Sequence, residues 1–291
     1  MYKLRKILLF IFIAAAVYSC GNSNSNTLEE FDHEAQALID SDSIISFLKN
    51  NYFDTSIDSI KVLDSGQTSL YDDPKLKTLD ITENEIDYKL YYYEIEVGSP
   101  SVDKGFPTVM DSVFVKYEGL SIEAKDSLYS FETRETPLWL TLNGVIRGWT
   151  YGFTHFKGGD NVTNNGPITY VNGGKGILII PSGLAYSNIG SSVGSLINKS
   201  LVFYIELYDF IKDTDHDNDG VPSIMEDPDG DGDPRLDDTD GDFIDNYLDA
   251  DDDGDGVLTK DEDRNGDGNP ANDFNDPNNP TLPDYLNPDI K

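Results

Sequence analysis

The sequence predicts an α+β fold, in which antiparallel strands have one short helix across a face. A small helical region precedes this domain, and a tail of little regular structure follows it. Five segments are rich in aromatic and β-branched residues at a period of two, which favours strands; they lie at residues 88–97, 113–117, 138–142, 176–180 and 201–207. One short stretch, residues 145–156, has helical spacing instead. Because strands outnumber helices and do not alternate with them, the expected architecture is an antiparallel sheet with one helix across a face.

The region before these strands, residues 28–50, carries apolar side chains at helical spacing. A polar break at residues 41–43 predicts that one helix ends there and that a second one begins. We expect this region to pack against the following domain and to contribute no chemistry.

Charge divides the chain into two parts. Its 291 residues include 54 acidic and 21 basic ones, a formal net charge of −33, which excludes nucleic acid as a partner because phosphates are repelled. Residues 211–291 hold 27 of the acidic and five of the basic residues, and only 18 of these 81 residues are apolar. Such a segment cannot bury enough surface to offset its ordering entropy. The tail is therefore either disordered or ordered by something other than a core.

The first nineteen residues predict a lipoprotein signal peptide. Three basic residues precede an apolar run at residues 7–17, which is too short for a membrane-spanning helix of about 20 residues and fits a signal-peptide core. The run ends in Val-Tyr-Ser-Cys at residues 17–20, which resembles a bacterial lipobox. The resemblance implies that Cys20, the only cysteine, carries acyl chains that hold the protein on a membrane. An ordinary signal peptide with an incidental cysteine is the alternative.

The solitary cysteine also bears on the rest of the chain. It excludes an intrachain disulfide framework and any cysteine-rich zinc site. The polar residues that follow it, up to position 27, predict a flexible tether between the lipid and the folded part.

Five segments in sequence order resemble the FKBP-type peptidyl-prolyl cis-trans isomerases. They are VKYEG at 115–119, PLWL at 137–140, VIRGW at 145–149, IPSGLAY at 180–186 and LVFYIEL at 201–207. The resemblance covers roughly residues 105–210 and implies an FKBP-like antiparallel sheet wrapped around a short helix. It further implies a peptidyl-prolyl isomerase that needs no cofactor for catalysis and acts on proline-containing polypeptide segments.

The same resemblance implies the site residues, which would form an aromatic cup for the proline ring. Trp149 would be its floor, Tyr186 would donate a hydrogen bond to a substrate carbonyl, and Ile146 would offer a backbone N–H. The implied cup consists of Tyr117, Phe131, Glu132, Val145, Ile146, Trp149, Tyr186 and Phe203. Each aromatic taken alone is more often a core residue than a site residue, so the assignment depends on the ordered match.

Several positions depart from the family pattern. The family's Phe-Asp pair is matched by Phe131-Glu132 only if one gap is allowed, and Ser187 replaces the glycine after the pocket tyrosine. Residues 195–197 replace the Ile-Pro-Pro of the flap, although Asn198 is retained. An insertion at about residues 160–172 lengthens the loop after the helix. A pocket that binds proline segments without isomerising them is therefore a second possibility.

The acidic tail is periodic. Two stretches fit the calcium-loop pattern, with carboxylates at places 1, 3 and 5, glycine at 6 and an acid at 12. Weaker copies complete a series of five repeats that start at Asp215, Asp227, Asp238, Asp251 and Asp263. The expected ligands are Asp215, Asp217, Asp219, Glu226, Asp227, Asp229, Asp231, Asp238, Asp240, Asp242, Asp249, Asp251, Asp253, Asp255, Glu262, Asp263, Asn265 and Asp267.

The spacing of the repeats excludes helix–loop–helix calcium sites, because one repeat ends where the next begins and no room is left for flanking helices. The tail more closely resembles thrombospondin type 3 repeats, in which Ca²⁺ ions replace a core. Binding would then couple to folding, since the carboxylates repel one another without metal. A disordered acidic tail with accidental spacing is the alternative.

Together these patterns predict five segments: a signal peptide (1–19), a lipid-anchored tether (20–27), a helical region with a lead-in strand (28–104), an FKBP-like domain (105–210) and a calcium-binding tail (211–291). Two functions compete. One is an isomerase that assists folding of secreted or envelope proteins from the bacterial outer membrane, facing the periplasm or the outside. The other is a non-catalytic surface or adhesin module with a proline-segment pocket and a calcium-stiffened spacer.

Overall fold

A computed structural model of the chain describes residues 31–190 and 196–291. The predicted signal peptide, Cys20 and the tether lie outside the described residues, as does Ser195 of the altered flap. Residues from His33 to Lys291 form one compact unit. No helix in the described part of the chain is long and apolar enough to cross a membrane.

One uninterrupted helix, α1 (His33–Asn50), opens the fold. The predicted break at residues 41–43 is wrong, and the reason is tertiary. Asp40 is buried next to the polar stretch, where its carboxylate accepts hydrogen bonds from Gln36 Nε2 at 2.9 Å and from the backbone N–H of Ser182 at 2.7 Å. These contacts hold the helix together where local propensity would end it.

The centre of the fold is a six-stranded antiparallel sheet, which confirms the predicted α+β class. The strands in chain order are β1 (Asn51–Asp54), β2 (Ser59–Val62), β3 (Leu76–Glu83), β4 (Ile86–Glu96), β5 (Ser112–Ala124), β6 (Ser127–Thr141), β7 (Asp160–Asn161), β8 (Tyr170–Val171), β9 (Gly174–Ile180) and β10 (Leu201–Ile211). The order across the sheet is β3-β4-β9-β10-β5-β6, whereas β1–β2 and β7–β8 are separate hairpins.

All five predicted strands are present, but β5 and β6 extend well beyond the predicted segments. The first half of β6 is exposed and rich in polar residues, so its pattern carries little apolar alternation. It is a strand because β5 pairs with it over almost its whole length, with three register shifts. The predicted insertion at residues 160–172 contains the short β7–β8 hairpin.

Both faces of the sheet are covered. On one face, Ile44, Phe47 and Leu48 of α1 pack against odd-numbered residues of β9 such as Ile177. On the other lies the short helix α2 (Arg147–Gly152), which packs on the even-numbered residues of β9. Because both faces are buried there, residues 177–180 of β9 are continuously apolar rather than alternating. Gly148 permits this approach, since a Cβ there would lie 2.3 Å from the Ile180 side chain.

The tail after β10 has only short 3₁₀ turns, as predicted. Its first residues are bonded to the sheet domain, because the Thr214 backbone donates to Asp111 and the Thr214 hydroxyl accepts from the Ser112 N–H. A second contact lies beside α2, where the nearly buried guanidinium of Arg235 contacts Glu83 and the Tyr151 hydroxyl. The tail is thus packed against the same domain that holds α2.

Candidate active site

A cavity of about 520 Å³ opens beside α2, within the size range of small ligand sites. Seven of the eight predicted site residues line it, namely Tyr117, Glu132, Val145, Ile146, Trp149, Tyr186 and Phe203. The eighth, Phe131, packs against the Phe203 ring with centroids 5.8 Å apart. The structure therefore brings together, from five separate parts of the chain, the residues that the family resemblance implied.

The rings of the cavity meet edge to face, the geometry that aromatic quadrupoles favour. Trp149 lies at the centre, with its ring 4.7 Å from that of Tyr117 and 5.1 Å from that of Phe203. Trp149 is 4% exposed and also contacts Phe153 of the core. The indole is thus fixed from several sides, and its position does not depend on a ligand.

The register between β5 and β10 positions the side chains that form the side walls of the cavity. β5 and β10 are neighbours, so that Tyr117 faces Ile205 and Gly119 faces Phe203 across the ladder. A Cβ on Gly119 would lie 2.7 Å from both the Phe131 and the Phe203 ring. Glycine is therefore required here by the two rings that close over the strand.

Matching Phe131-Glu132 to the family's Phe-Asp pair requires a gap of one residue in the sequence. In the structure a β-bulge accounts for this extra residue. In the β5–β6 ladder Gly119 pairs with Glu132 and Leu120 pairs with Ser130, which leaves Phe131 as the extra residue. Successive strand residues normally point to opposite faces, but a bulge redirects one of them. Phe131 and Glu132 consequently both reach the pocket side of the sheet.

Tyr186 and the segment before α2 form the opposite wall. Ile146 has extended backbone angles directly before α2, which places its peptide at the rim of the cavity. Tyr186 follows the 3₁₀ turn after β9, and the next residue, Ser187, has φ +49°. This is the left-handed region that favours glycine, so the family's glycine is replaced without a change of backbone geometry. The Ser187 carbonyl accepts the Asn198 N–H at 2.8 Å.

Charges at the cavity are few and paired. Glu132 accepts a hydrogen bond from Arg134 Nε at 2.9 Å, and Arg147 Nε donates to Glu83 at 3.1 Å. Burial, followed by the charge of Glu132, raises the pKa of Tyr186, so its hydroxyl stays protonated and able to donate at neutral pH.

Sequence reasoning did not assign four residues that line the cavity, Leu140, Gly144, Arg147 and Ala185. The last three are sequence neighbours of predicted site residues, and this adjacency is the one feature of the sequence that could have identified them.

A second cavity, of about 530 Å³, lies by β2 on the other face of the sheet. Lys116, Glu135 and Glu206 line it, and the Lys116 ammonium lies 3.1 Å from a Glu135 carboxylate oxygen. Removing water from the charged groups in this wall would be costly. This cavity is therefore less suited to an apolar ring than the cavity beside α2.

The predicted repeats of the tail share one backbone geometry. In each repeat the carboxylate of the first aspartate accepts the N–H of the residue five places on: Gly220, Gly232, Phe243, Gly256 and Gly268. All five of these residues have positive φ. Phe243 therefore adopts a glycine conformation, and its side chain is 95% exposed. The third repeat, which lacks the glycine, still forms the loop.

Five groups of three carboxylates converge among the described residues. They are Asp215/Asp217/Asp219, Asp219/Glu226/Asp252, Asp227/Asp229/Asp237, Asp238/Asp240/Asp242 and Asp251/Asp253/Asp255. Asp237 and Asp252 were not predicted, because neither stands at a ligand place of its repeat. The predicted ligands outside these groups are Asp231, Asp249, Glu262, Asp263, Asn265 and Asp267.

The donor set of these groups fits a hard cation, because it consists of carboxylate oxygens. Within the described chain, carboxylate oxygens of Glu226, Asp252 and Asp253 are buried and have no hydrogen-bond partner. Burial and the neighbouring carboxylates raise the pKa of Glu226 to about 10, and burial raises that of Asp252 to about 8. Buried unpaired carboxylates are costly, so a cation would remove an unfavourable arrangement.

The cavity and its sheet define the class of this domain. Residues 103–208 match the family model of the FKBP-type peptidyl-prolyl cis-trans isomerases, so the chain contains an FKBP-type isomerase domain. It is similar to the FKBP-type peptidyl-prolyl cis-trans isomerase FkpA of Escherichia coli K12, with 37% identity over 120 residues. These residues are 41% of this chain and 37% of FkpA, so the chain spans well under half of that relative.

Two solved structures are similar to part of this chain. A peptidyl-prolyl cis-trans isomerase from Pseudomonas syringae pv. tomato DC3000 aligns with 63% of this chain and 98% of its own, at 20% identity and a TM-score of 0.39. Escherichia coli FkpA aligns with 48% of this chain and 53% of its own, at 30% identity and a TM-score of 0.35.

The tail has a family match of its own. Residues 216–289 match the family model described as BamM C-terminal. This match begins at residue 216, after the FKBP-type match has ended at residue 208, and the predicted division of the chain into five segments stays a prediction. The thrombospondin type 3 resemblance and calcium binding stay predictions.

Proposed function

We propose that the chain is a peptidyl-prolyl cis-trans isomerase that acts on proline-containing polypeptide segments and assists the folding of secreted or envelope proteins. The observation that supports this most strongly is the aromatic cavity, which is lined by the rings of Tyr117, Trp149 and Phe203. An FKBP-type domain needs no cofactor for this reaction.

The chemistry of such a site follows from the amide bond. Rotation about an X-Pro bond breaks amide resonance, with a barrier of about 18–20 kcal/mol, and the uncatalysed step takes tens of seconds or longer. The planar amide has a larger charge separation than the twisted one. An apolar wall that strips water from the amide carbonyl therefore favours the twisted state, and rings that hold the proline fix its orientation.

Three groups of the chain would carry this out. Trp149 would contact the proline ring as the floor of the cavity. The Tyr186 hydroxyl, which stays protonated, would donate to a substrate carbonyl. The backbone N–H of Ile146 at the rim would hold the peptide beside the bond. No group has to accept a proton, which agrees with the paired state of Glu132.

The tail is proposed to bind Ca²⁺ through its repeats. Support comes from the convergent carboxylates and from their buried oxygens without partners in the described chain. The bound ions would neutralise much of the charge that otherwise drives the repeats apart, and in this way they would order a segment that has little apolar core.

The chain is proposed to be anchored to the bacterial cell envelope through acyl chains on Cys20, most simply at the outer membrane. Support is the lipobox-like sequence at residues 17–20. We expect Cys20→Ala to move the protein from the membrane fraction to the soluble fraction and to abolish labelling by radioactive palmitate. A variant that stays in the membrane fraction and is still labelled would contradict the anchor.

The isomerase is tested on the chain from Gly21 onward by a protease-coupled assay with a proline-containing tetrapeptide. Tyr186→Phe removes one hydrogen bond to the transition state, worth about 1 kcal/mol, so we expect kcat/KM to fall about fivefold. Tyr129→Phe is the matched control, since Tyr129 is 63% exposed on β6 and outside the cavity. A wild-type rate equal to that of buffer, combined with binding of the peptide, would instead support a non-catalytic proline-binding module.

A further inference from the structure

The buried carboxylates of Asp219, Glu226 and Asp252 are not all explained by the repeats. Asp219 and Glu226 occupy places 5 and 12 of the first repeat. Asp252 stands at place 2 of the fourth repeat, between Asp251 and Asp253, where the calcium-loop pattern has no ligand. The three residues nevertheless converge, although Asp219 and Asp252 are 33 residues apart in the chain.

Distances and burial at this point are those of a cation site. One carboxylate oxygen from each of the three residues lies within 4.8 Å of the other two. Oxygens that share a Ca²⁺ ion at 2.3–2.6 Å lie at most about 5 Å apart, so the group is of the right size. Glu226 is fully buried, and Asp219 and Asp252 are each 1% exposed.

Each of the three carboxylates has at least one oxygen without a hydrogen-bond partner among the described residues. Both carboxylate oxygens of Glu226 lack a hydrogen bond within the part of the chain that the structure describes, and so do Oδ2 of Asp219 and Oδ1 of Asp252. A buried carboxylate normally accepts several hydrogen bonds or binds a metal, because water is excluded. A fully buried glutamate with both oxygens unpartnered within the described chain therefore points to a cation as its partner.

Hydrogen bonds within the fourth repeat orient the carboxylate of Asp252. At place 2 of the first, third and fourth repeats the backbone N–H is bonded to the side chain at place 9: His216 to Ser223, Thr239 to Asn246 and Asp252 to Thr259. In the fourth repeat the Thr259 hydroxyl also donates to Asp252 Oδ2. This fixes the carboxylate and leaves Oδ1 for the contact with the first repeat.

We propose that Asp219, Glu226 and Asp252 form an additional divalent-cation site, suited to Ca²⁺, which joins the first repeat to the fourth. The proposal rests on the proposed calcium binding of the tail and extends it. The five repeats would each close a loop of about twelve residues, whereas this site closes 33 residues of chain. Asp219 belongs to two groups, so its carboxylate would bridge this ion and that of the first repeat.

The site would make the tail fold as a unit rather than as a row of independent loops. A cross-link between distant positions restricts the unfolded chain more than one between near neighbours. The same region contains the small apolar cluster of the tail, in which Val221 of the first repeat packs with Tyr285 and Leu286 near the end of the chain. The ion and this cluster would together hold both ends of the tail.

The test is the number of Ca²⁺ ions bound per chain by the protein from Gly21 onward, measured by equilibrium dialysis with radioactive calcium. Asp252→Asn keeps an oxygen for Thr259 but removes the charge, and we expect it to bind one ion fewer than the wild type. Asp261→Asn is the matched control, because Asp261 is exposed and belongs to none of the carboxylate groups; it should bind the wild-type number. Equal numbers and affinities in Asp252→Asn and the wild type would overturn the site while calcium binding by the repeats stands. A wild type that binds no Ca²⁺ would overturn the tail's proposed function as well.

A second measurement covers the case in which Asp252→Asn binds no ion because its tail does not fold. Tyr285 lies close enough to Asp252, Glu226 and Asp219 to interact with their charges. Tb³⁺ in the wild-type chain should then be excited through this ring, and Tyr285→Phe should lower the emission markedly. Tyr71→Phe should not, because the Tyr71 ring lies against Lys49 of α1 and outside the tail. Emission that is unchanged by Tyr285→Phe would overturn the site.

Discussion

Removal of calcium is expected to unfold the tail and to leave the sheet domain folded. In EDTA the carboxylates of the tail, residues 211–291, repel one another, and several of them are buried without a hydrogen-bond partner in the described part of the chain. In extracellular modules the calcium affinity is about 10⁻⁴–10⁻³ M. An ion present at about ten times its Kd adds about 1.4 kcal/mol of stability per site, so five sites together would add about 7 kcal/mol.

The measurement is limited proteolysis by a non-specific protease with 10 mM CaCl₂ or with EDTA, combined with the hydrodynamic radius. In EDTA we expect rapid cleavage after Ile211, a stable fragment that contains β3 to β10, and a larger radius for the intact chain. MgCl₂ at the same concentration is the control, because Mg²⁺ requires a smaller octahedral site and releases its water reluctantly. Identical fragments and radii with Ca²⁺ and with EDTA would contradict the prediction.

Replacement of the indole at the cavity floor is expected to have the largest effect on the isomerase. Trp149→Ala removes the ring that Tyr117, Phe153 and Phe203 surround. The apolar contact that Trp149 would make with the proline ring is worth about 2–3 kcal/mol in the transition state, so kcat/KM should fall by about thirtyfold to 160-fold. The same change should lower the free energy of unfolding by about 3–5 kcal/mol, as other core truncations of aromatic residues do.

The chain offers a matched control, since it has only one other tryptophan. Trp139 is 46% exposed, stacks on Phe114 at 5.1 Å and does not line the cavity. Trp139→Ala should keep wild-type activity with a smaller loss of stability. Activity is compared per folded molecule, from urea unfolding of each variant in CaCl₂. Equal activities of Trp149→Ala and the wild type would show that the cavity is not the isomerase site.

Much of the cavity was predictable because its residues lie in local segments with a strong pattern. Tyr117, Trp149, Tyr186 and Phe203 each belong to one of the five ordered segments. Phe131 was harder to place, since the register of β6 is set by a bulge opposite Gly119 and not by its own weak alternation. The continuous α1 was missed for a similar reason, because a distant backbone N–H stabilises Asp40 in its middle.

In the tail, too, local features were predictable from the sequence and long-range contacts were not. The spacing of its aspartates predicted where each loop begins, and at all five starts the first carboxylate accepts the N–H five residues on. Such hydrogen bonds join residues a few places apart, so local sequence is sufficient to encode them. Which repeats would contact one another, and which face of the domain would receive Arg235, could not be read from the spacing.

Local sequence patterns were thus sufficient to predict the α+β class, the isomerase family of the domain, and the concentration of the −33 charge in a periodic tail. Three features became visible only in the folded chain: Phe131 and Glu132 share a face, the tail packs beside α2, and Asp252 lies near Glu226. The difference lies in the separation along the chain of the residues that interact. Periodicity and loop chemistry act within about a dozen residues, whereas these three features depend on contacts between segments that only the folded chain brings together.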